Sequence, residues 1–121
     1  MIDEVILAEF MAASPTFAAG WRLTESYYPP SDPETLPSAL YHVASCLRGL
    51  LVRDRHRELG PLLAALERTC EAATPTQREH FRRCVIETLV HDCRVLGLDP
   101  ALFQRHLGPQ CRVAWSETER M

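Results

Sequence analysis

The hydrophobic and polar positions between Thr74 and Gly97 form the most regular pattern in the chain, and they predict one long helix. Apolar side chains recur there at helical spacing over a broad arc, which is typical of a helix with several neighbours. The arc consists of Phe81, Val85, Ile86, Leu89, Val90, Cys93 and Leu96. Thr74 and Gln77 form a capping-box pattern, and Pro75 suits the first helical position. Gly97 suits a left-handed helix end, so we expect a central helix over residues 75–96.

Shorter amphipathic stretches on either side of this helix predict further helices. They are expected over residues 3–13, from Pro15 onwards, over 36–53, over 61–73, after Asp99-Pro100 and after Gly108-Pro109. Glu67 and Glu71 are expected on the exposed side of the fourth helix. Val113 and Trp115 are expected to bring the last turn or two onto the core, with the tail ETERM frayed.

The predicted fold class is therefore all-α, because no stretch alternates with the period of two that strands show. We expect a compact single-domain bundle of about five to seven helices around the long one. Short N-terminal helices occupy residues 1–26, and the main helical bundle occupies 36–121. Between them, residues 27–37 hold four prolines and are expected to form an ordered surface loop.

Composition places the chain among cytoplasmic globular proteins. Its 121 residues are 46% hydrophobic, and no apolar run approaches the roughly 20 residues that a membrane span needs. The N-terminus carries acids where a secretory signal needs basic residues. Five cysteines, an odd number without a C-x-x-C pair, favour reduced thiols. A membrane partner and a disulfide framework are not expected.

Charge is unevenly distributed along the chain. The net charge is −3, yet residues 1–40 hold six acids against one arginine, and the remainder holds twelve arginines against ten acids. This balance argues against nucleic acid, which requires a concentrated basic face. The acidic third is either a solvated face or a surface for a basic partner. In the second case the candidate partner-binding residues are Glu4, Glu9, Glu25, Tyr27, Tyr28, Asp32 and Glu34.

A stripe of potential metal ligands follows the polar side of the central helix. His80, Cys84, Glu87 and His91 occur at i, i+4, i+7 and i+11, and the third predicted helix holds His42 and Cys46 four residues apart. Two such His–Cys pairs on adjacent helices would suit tetrahedral zinc. Histidine and cysteine are also common at helix flanks, so we assign no metal and no cofactor. A metal-binding or redox-sensing helical domain remains the alternative.

No catalytic residue is predicted, and we expect a protein that is not an enzyme. The chain has no phosphate loop, no H-E-x-x-H, no G-x-S-x-G and no EF-hand loop. A nucleophile built from Cys84 and His80 would lie in mid-helix, where the backbone N–H groups are already used. No small-molecule substrate is expected either.

The C-terminal run HLGPQCRVAW, an L-G-P followed by Trp115, resembles the ending of a small bacterial all-α domain family of unassigned activity. The preceding helix pair, residues 62–90 with Glu67 on its first helix, is similar to the helices before that ending. The resemblance covers about two-thirds of the chain but not the segment from Tyr27 to Pro37. It implies an immunity-type role, in which a small protein is encoded beside a bacterial toxin. Within it, Leu107, Gly108, Pro109 and Trp115 would be structural.

These observations together favour an immunity protein. It would bind a cognate toxin stoichiometrically and cover the toxin's active site with a rigid helical surface. A non-inhibitory adaptor subunit would share that surface, and partner binding without inhibition would distinguish it.

Overall fold

The structure is a computed structural model that describes residues 2–29, 31–53 and 55–121. Pro30 of the predicted loop, Asp54 of the predicted connection and Met1 lie outside these ranges. The described residues form an all-α fold of seven helices, counting residues 75–96 as one helix. The predicted fold class is confirmed.

The helices follow one another with short connections. They are α1 (Asp3–Ala13), α2 (Pro15–Arg22), α3 (Thr35–Val52), α4 (Leu59–Ala72), α5 (Pro75–Phe81), a π-helical segment (Arg82–Ile86), α6 (Glu87–Leu96), α7 (Ala101–Gln104) and α8 (Pro109–Glu119). Two 3-10 turns, Glu25–Tyr27 and His56–Glu58, lie in the connections on either side of α3. We use "long helix" for α5, the π-helical segment and α6 together.

The core lies where α3, α4 and the long helix meet. Along α3, seven apolar residues recur at helical spacing and form what we call the α3 stripe. All of them are buried: Leu36, Leu40, Val43, Ala44, Leu47, Leu50 and Leu51. Helices α1 and α2 cover one side of this core with Ile6, Phe10, Phe17 and Trp21, while α8 packs on α4 and the long helix from another side. The long helix therefore shares the centre with α3.

The ends of the long helix lie where the sequence predicted them. The Thr74 hydroxyl accepts the Gln77 backbone N–H at 3.2 Å, and the Gln77 side-chain oxygen accepts the Thr74 N–H at 3.0 Å. Gly97 ends the helix with φ of 68°, a conformation that glycine adopts without steric cost. Both caps use only neighbours in sequence, which is why the sequence alone predicts them.

The middle of the long helix corrects the sequence analysis. A wider π-helical turn at residues 82–86 changes the rotation of the helix, and Cys84, Val85 and Ile86 are all buried. Cys84 was expected on the polar side, but it is 0% exposed and its thiol lies close to Tyr41 of α3. Leu96 was expected in the apolar arc, but it is 52% exposed.

Glu67 is a second correction, because it is buried instead of exposed. Its carboxylate accepts the backbone N–H groups of Gln110 at 3.1 Å and Cys111 at 3.0 Å. It therefore caps the start of α8 with a negative charge, which the helix dipole favours. A Cβ at Gly108 would overlap the Glu67 side chain, so this cap requires glycine at position 108.

The C-terminal segment is longer and more ordered than predicted. Helix α8 continues through Glu119, and Trp115 donates its indole N–H to the Glu119 carboxylate at 2.6 Å. Thr118 is buried, whereas Val113, expected in the core, is exposed. The predicted fraying of residues 117–121 is therefore wrong up to Glu119.

None of the described helices combines the length and the apolar character that crossing a membrane requires.

Candidate partner-binding surface

A groove of about 340 Å³ separates α1 from the segment that links α2 to α3. Its floor is apolar and its rim is acidic. Helix α1 contributes one stripe of its surface, and the linking segment contributes the opposite wall. The lining residues are Asp3, Glu4, Leu7, Ala8, Met11, Trp21, Glu25, Tyr28 and Thr35. We refer to it as the acidic groove.

Stacked aromatic rings form one wall of the acidic groove. Tyr28 lies parallel to the buried Trp21 ring, with centroids 5.8 Å apart and an interplanar angle of 19°. The 3-10 turn Glu25–Tyr27 delivers Tyr28 to this position, and the Thr24 hydroxyl donates to the Trp21 carbonyl at 3.1 Å. The linking segment is thus tied to α2 immediately before the groove.

The far end of the linking segment is tied to α3. The Thr35 hydroxyl donates to the Pro29 carbonyl at 2.8 Å, and the Asp32 carboxylate accepts the Glu34 N–H at 2.9 Å. The predicted loop of residues 27–37 therefore ends earlier than expected, because α3 begins at Thr35 and its first turn contains Pro37. These bonds give the described part of the wall a defined shape.

The rim of the acidic groove holds carboxylates that other side chains do not neutralise. Among the described residues no cation lies within ion-pair distance of Glu4 or Glu25, and both are exposed. Asp3 is engaged, since its Oδ1 accepts the Gln77 side-chain N–H at 2.8 Å. The groove therefore presents negative charge above an apolar floor.

The structure brings together three of the seven predicted partner-binding residues, namely Glu4, Glu25 and Tyr28. Tyr27 is next to them in sequence and is 77% exposed, but it does not line the groove. Asp32 and Glu34 form the turn before α3. Glu9 lies elsewhere on α1 and pairs with Arg68 of α4 at 3.2 Å.

Sequence reasoning missed the apolar floor of the acidic groove. Leu7 and Met11 pack against the core while remaining partly exposed. Neither these two residues nor Trp21 and Asp3 were among the predicted partner-binding residues. The spacing of residues 3, 4, 7, 8 and 11 places them on one face of α1. Whether another helix covers that face depends on the tertiary packing, which the spacing does not show.

The described residues do not assemble the metal site that the sequence offered. They contain no group of three or more His, Cys, Asp or Glu side chains placed to hold a metal ion. Cys84 is buried under Tyr41, and Glu87 pairs with Arg82. His42 packs edge-on against Trp21, with ring centroids 5.5 Å apart.

The cysteine thiols are held in their protonated form. Burial raises the pKa of the Cys93 thiol to about 11, and burial also raises the pKa of Cys46, Cys70, Cys84 and Cys111. Because the thiolate is the reactive nucleophile and metal ligand, these environments do not activate the cysteines.

Comparison with known proteins gives no match: no family model, no curated protein and no solved structure is significantly similar to this chain.

Proposed function

We propose that this chain is a protein-binding module of the immunity type. It receives a cationic side chain of a bacterial toxin in the acidic groove and thereby covers the toxin's active site. The observation that carries this proposal is a pair of exposed carboxylates, Glu4 and Glu25, which form no ion pair with any described residue and lie beside apolar lining residues.

The acidic groove is suited to a long cationic side chain, because it offers apolar surface to the aliphatic part and carboxylates to the charged end. Arginine and lysine combine an aliphatic stem with a charged end, and they bury the stem while the charge remains at the rim. Leu7 and Met11 offer apolar surface to the stem, and the ring of Tyr28 offers its face to the cation. The rim carboxylates then pair with the charge at the mouth of the groove.

Inhibition would follow from occlusion and requires no reaction. The bundle supplies a rigid surface, and the bonds at both ends of the linking segment limit the entropy lost on binding. The negative rim accelerates encounter with a basic partner, and salt screens this effect. A toxin with a basic active-site cleft is the partner that such a surface fits best.

The experiment that tests this function is co-purification of the tagged full chain from its native cells. We expect a stoichiometric partner that is toxic when it is expressed alone and harmless when it is co-expressed with this chain. A stoichiometric partner without toxic activity would instead indicate an adaptor. Recovery of the chain without any partner would contradict the proposal.

Variants of the rim then test the surface itself. Glu4→Gln and Glu25→Gln should each weaken binding of the captured partner by about tenfold, the scale of one charge pair. Glu71→Gln is the matched control, because Glu71 is exposed on α4 and does not line the groove. If all three variants bind as the wild type does, the acidic groove is not the contact surface.

A further inference from the structure

A second pocket, of about 210 Å³, lies between α2 and α3 and shares Trp21 with the acidic groove. Its charge is opposite to that of the groove. No Asp or Glu is among the described residues that line it, which are Thr16, Phe17, Gly20, Trp21, His42, Ser45, Cys46, Gly49, Leu50, Arg53 and Arg55. We refer to it as the basic pocket. The chain has a net charge of −3, yet the described lining of this pocket consists of bases and neutral groups.

Arg53 is positioned over the wall of the basic pocket. Its guanidinium lies close to Gly49, since a Cβ at that position would be 2.8 Å from Nη2 of Arg53. The side chain thus folds back along α3 over a position that has no side chain. Within residues 2–29, 31–53 and 55–121, Arg53 forms no ion pair. Its planar set of donors is available to a ligand.

Glu58, which is hydrogen-bonded to the lining residue Thr16, already accepts hydrogen bonds from other donors. The Glu58 carboxylate accepts the Ser14 hydroxyl at 2.7 Å, the Thr16 hydroxyl at 2.6 Å and the Thr16 N–H at 3.0 Å. Arg55 is near enough to Glu58 to help lower the pKa of that carboxyl, but the two form no ion pair in the described part of the chain. Both arginines therefore retain hydrogen-bond donors.

The other described lining residues add both polar groups and apolar surface. Ser45 and His42 bring a hydroxyl and an imidazole, while Phe17, Trp21 and Leu50 are apolar. The N–H groups of an arginine guanidinium are spaced so that two of them can bind two oxygens of one oxyanion. The volume is several times the roughly 30 Å³ that one water occupies in the liquid. An oxyanion with a small organic group would fit.

We propose that the basic pocket binds a phosphate-type oxyanion through Arg53 and Arg55. Ser45 and His42 supply further donors to its oxygens, and the apolar wall takes any organic group that carries the phosphate. This site is separate from the acidic groove, and its existence does not depend on a toxin partner.

An NMR titration of the isotope-labelled full chain tests the site, because the chain contains only two tryptophans. Trp21 borders the basic pocket, whereas Trp115 borders a different pocket that holds Arg105 and Arg112, so the two indole signals separate binding at the two places. Inorganic phosphate is titrated against sodium chloride at equal ionic strength and fixed pH. We expect saturable shifts of the Trp21 indole and the His42 ring, with Kd of about 1 mM or tighter.

Phenyl phosphate, as a second probe, identifies the source of the anion. If it binds at least about threefold more tightly than inorganic phosphate, the pocket recognises a phosphate on an organic group. If the two bind equally, the pocket recognises the free ion. Either result supports the oxyanion site.

Matched variants decide whether the arginines carry the binding. Arg53→Gln and Arg55→Gln should each weaken phosphate binding by at least about fivefold. Arg57→Gln is the control, since Arg57 lies in the same connection without lining the pocket. Thermal unfolding by circular dichroism verifies that each variant is folded. Shifts that never saturate, that chloride reproduces, or that weaken equally in the Arg57 variant would overturn the proposal.

Discussion

At the scale of single residues, Glu67 is the side chain on which α8 depends. It is 8% exposed, and its two carboxylate oxygens receive two backbone N–H groups. Glu67→Gln keeps the shape but removes the charge and one acceptor. We expect it to lower the free energy of unfolding by about 1–3 kcal/mol. Urea denaturation measures this value.

The control for this prediction is Glu71→Gln, one helical turn further along α4. Glu71 is exposed, so its substitution should change the free energy of unfolding by less than about 0.5 kcal/mol. Equal losses in the two variants would show that the Glu67 carboxylate does not stabilise α8.

The Glu58 carboxyl group is expected to make the free energy of unfolding depend on pH. Burial by itself would raise the pKa of this carboxyl, but hydrogen bonds from Thr16 and Ser14 outweigh burial and hold the pKa below its usual value. In acid the unfolded chain therefore takes up the proton first, and the stabilising contribution disappears as pH falls below about 4.3 and through the folded pKa. We expect Glu58→Gln to show a smaller loss of stability than the wild type between about pH 5 and pH 3.

Urea denaturation at several pH values tests this expectation, with Glu34→Gln as the control. Glu34 is exposed, and its carboxylate accepts no hydrogen bond among those of the described residues. Its variant should keep the acid sensitivity of the wild type. If the Glu58 variant keeps it too, other carboxyl groups cause the loss in acid.

At the scale of elements, the π-helical segment sets the rotation of α6 relative to α5. A π-helical turn holds one more residue than an α-helical turn. Deleting the exposed Arg83 should therefore restore a continuous α-helix with the faces of α5 and α6 unchanged. We expect a folded protein that loses less than about 2 kcal/mol of stability.

Deleting Thr88 in α6 is the control for this prediction. There the loss of one residue rotates the following part of α6 by about 100° and takes Leu89 and Val90 out of the core. We expect this variant to lose cooperative unfolding in circular dichroism. Similar behaviour of the two deletions would show that the π-helical segment does not adjust the rotation.

The second prediction at the scale of elements concerns the last turn of α8. Removing residues 117–121 eliminates the Glu119 acceptor of the Trp115 indole and the Glu119 carbonyl that accepts from Arg94 at 3.3 Å. We expect a loss of about 1–3 kcal/mol in urea and a red shift of the tryptophan fluorescence. Removing only Arg120 and Met121 should leave both unchanged. If the longer truncation also leaves both unchanged, the last turn of α8 does not stabilise the fold.

At the scale of the whole molecule, we expect the N-terminal third to unfold together with the bundle. Ile6, Phe10, Phe17 and Trp21 are each 2% exposed or less, and burial of such a side chain stabilises by about 1.5–3 kcal/mol. Four of them amount to a large part of the roughly 5–15 kcal/mol by which domains are stable. A chain of residues 35–121 should therefore lack cooperative thermal unfolding and dispersed NMR signals. A well-folded fragment would contradict this.

The sequence predicted most of the helices, but it did not predict which side chains form the surface pockets. Thr74, Gln77 and Gly97 end the long helix through bonds between close neighbours, and the α3 stripe has one consistent face. Of the candidate site, the acids Glu4 and Glu25 were found by local charge. The apolar floor was not found, because Leu7 and Met11 follow the same periodicity whether a neighbour covers them or not.

The chain by itself determined the fold class, the two ends of the long helix and most of the core, since caps and periodicity act within a few residues. Only the tertiary structure decided the burial of Cys84, the role of Glu67 and the two pockets beside Trp21. Each of these depends on groups far apart in sequence: Glu67 meets Gln110 across 43 residues, and Cys84 meets Tyr41 of another helix. Such contacts arise from the packing of whole helices, which local patterns do not specify.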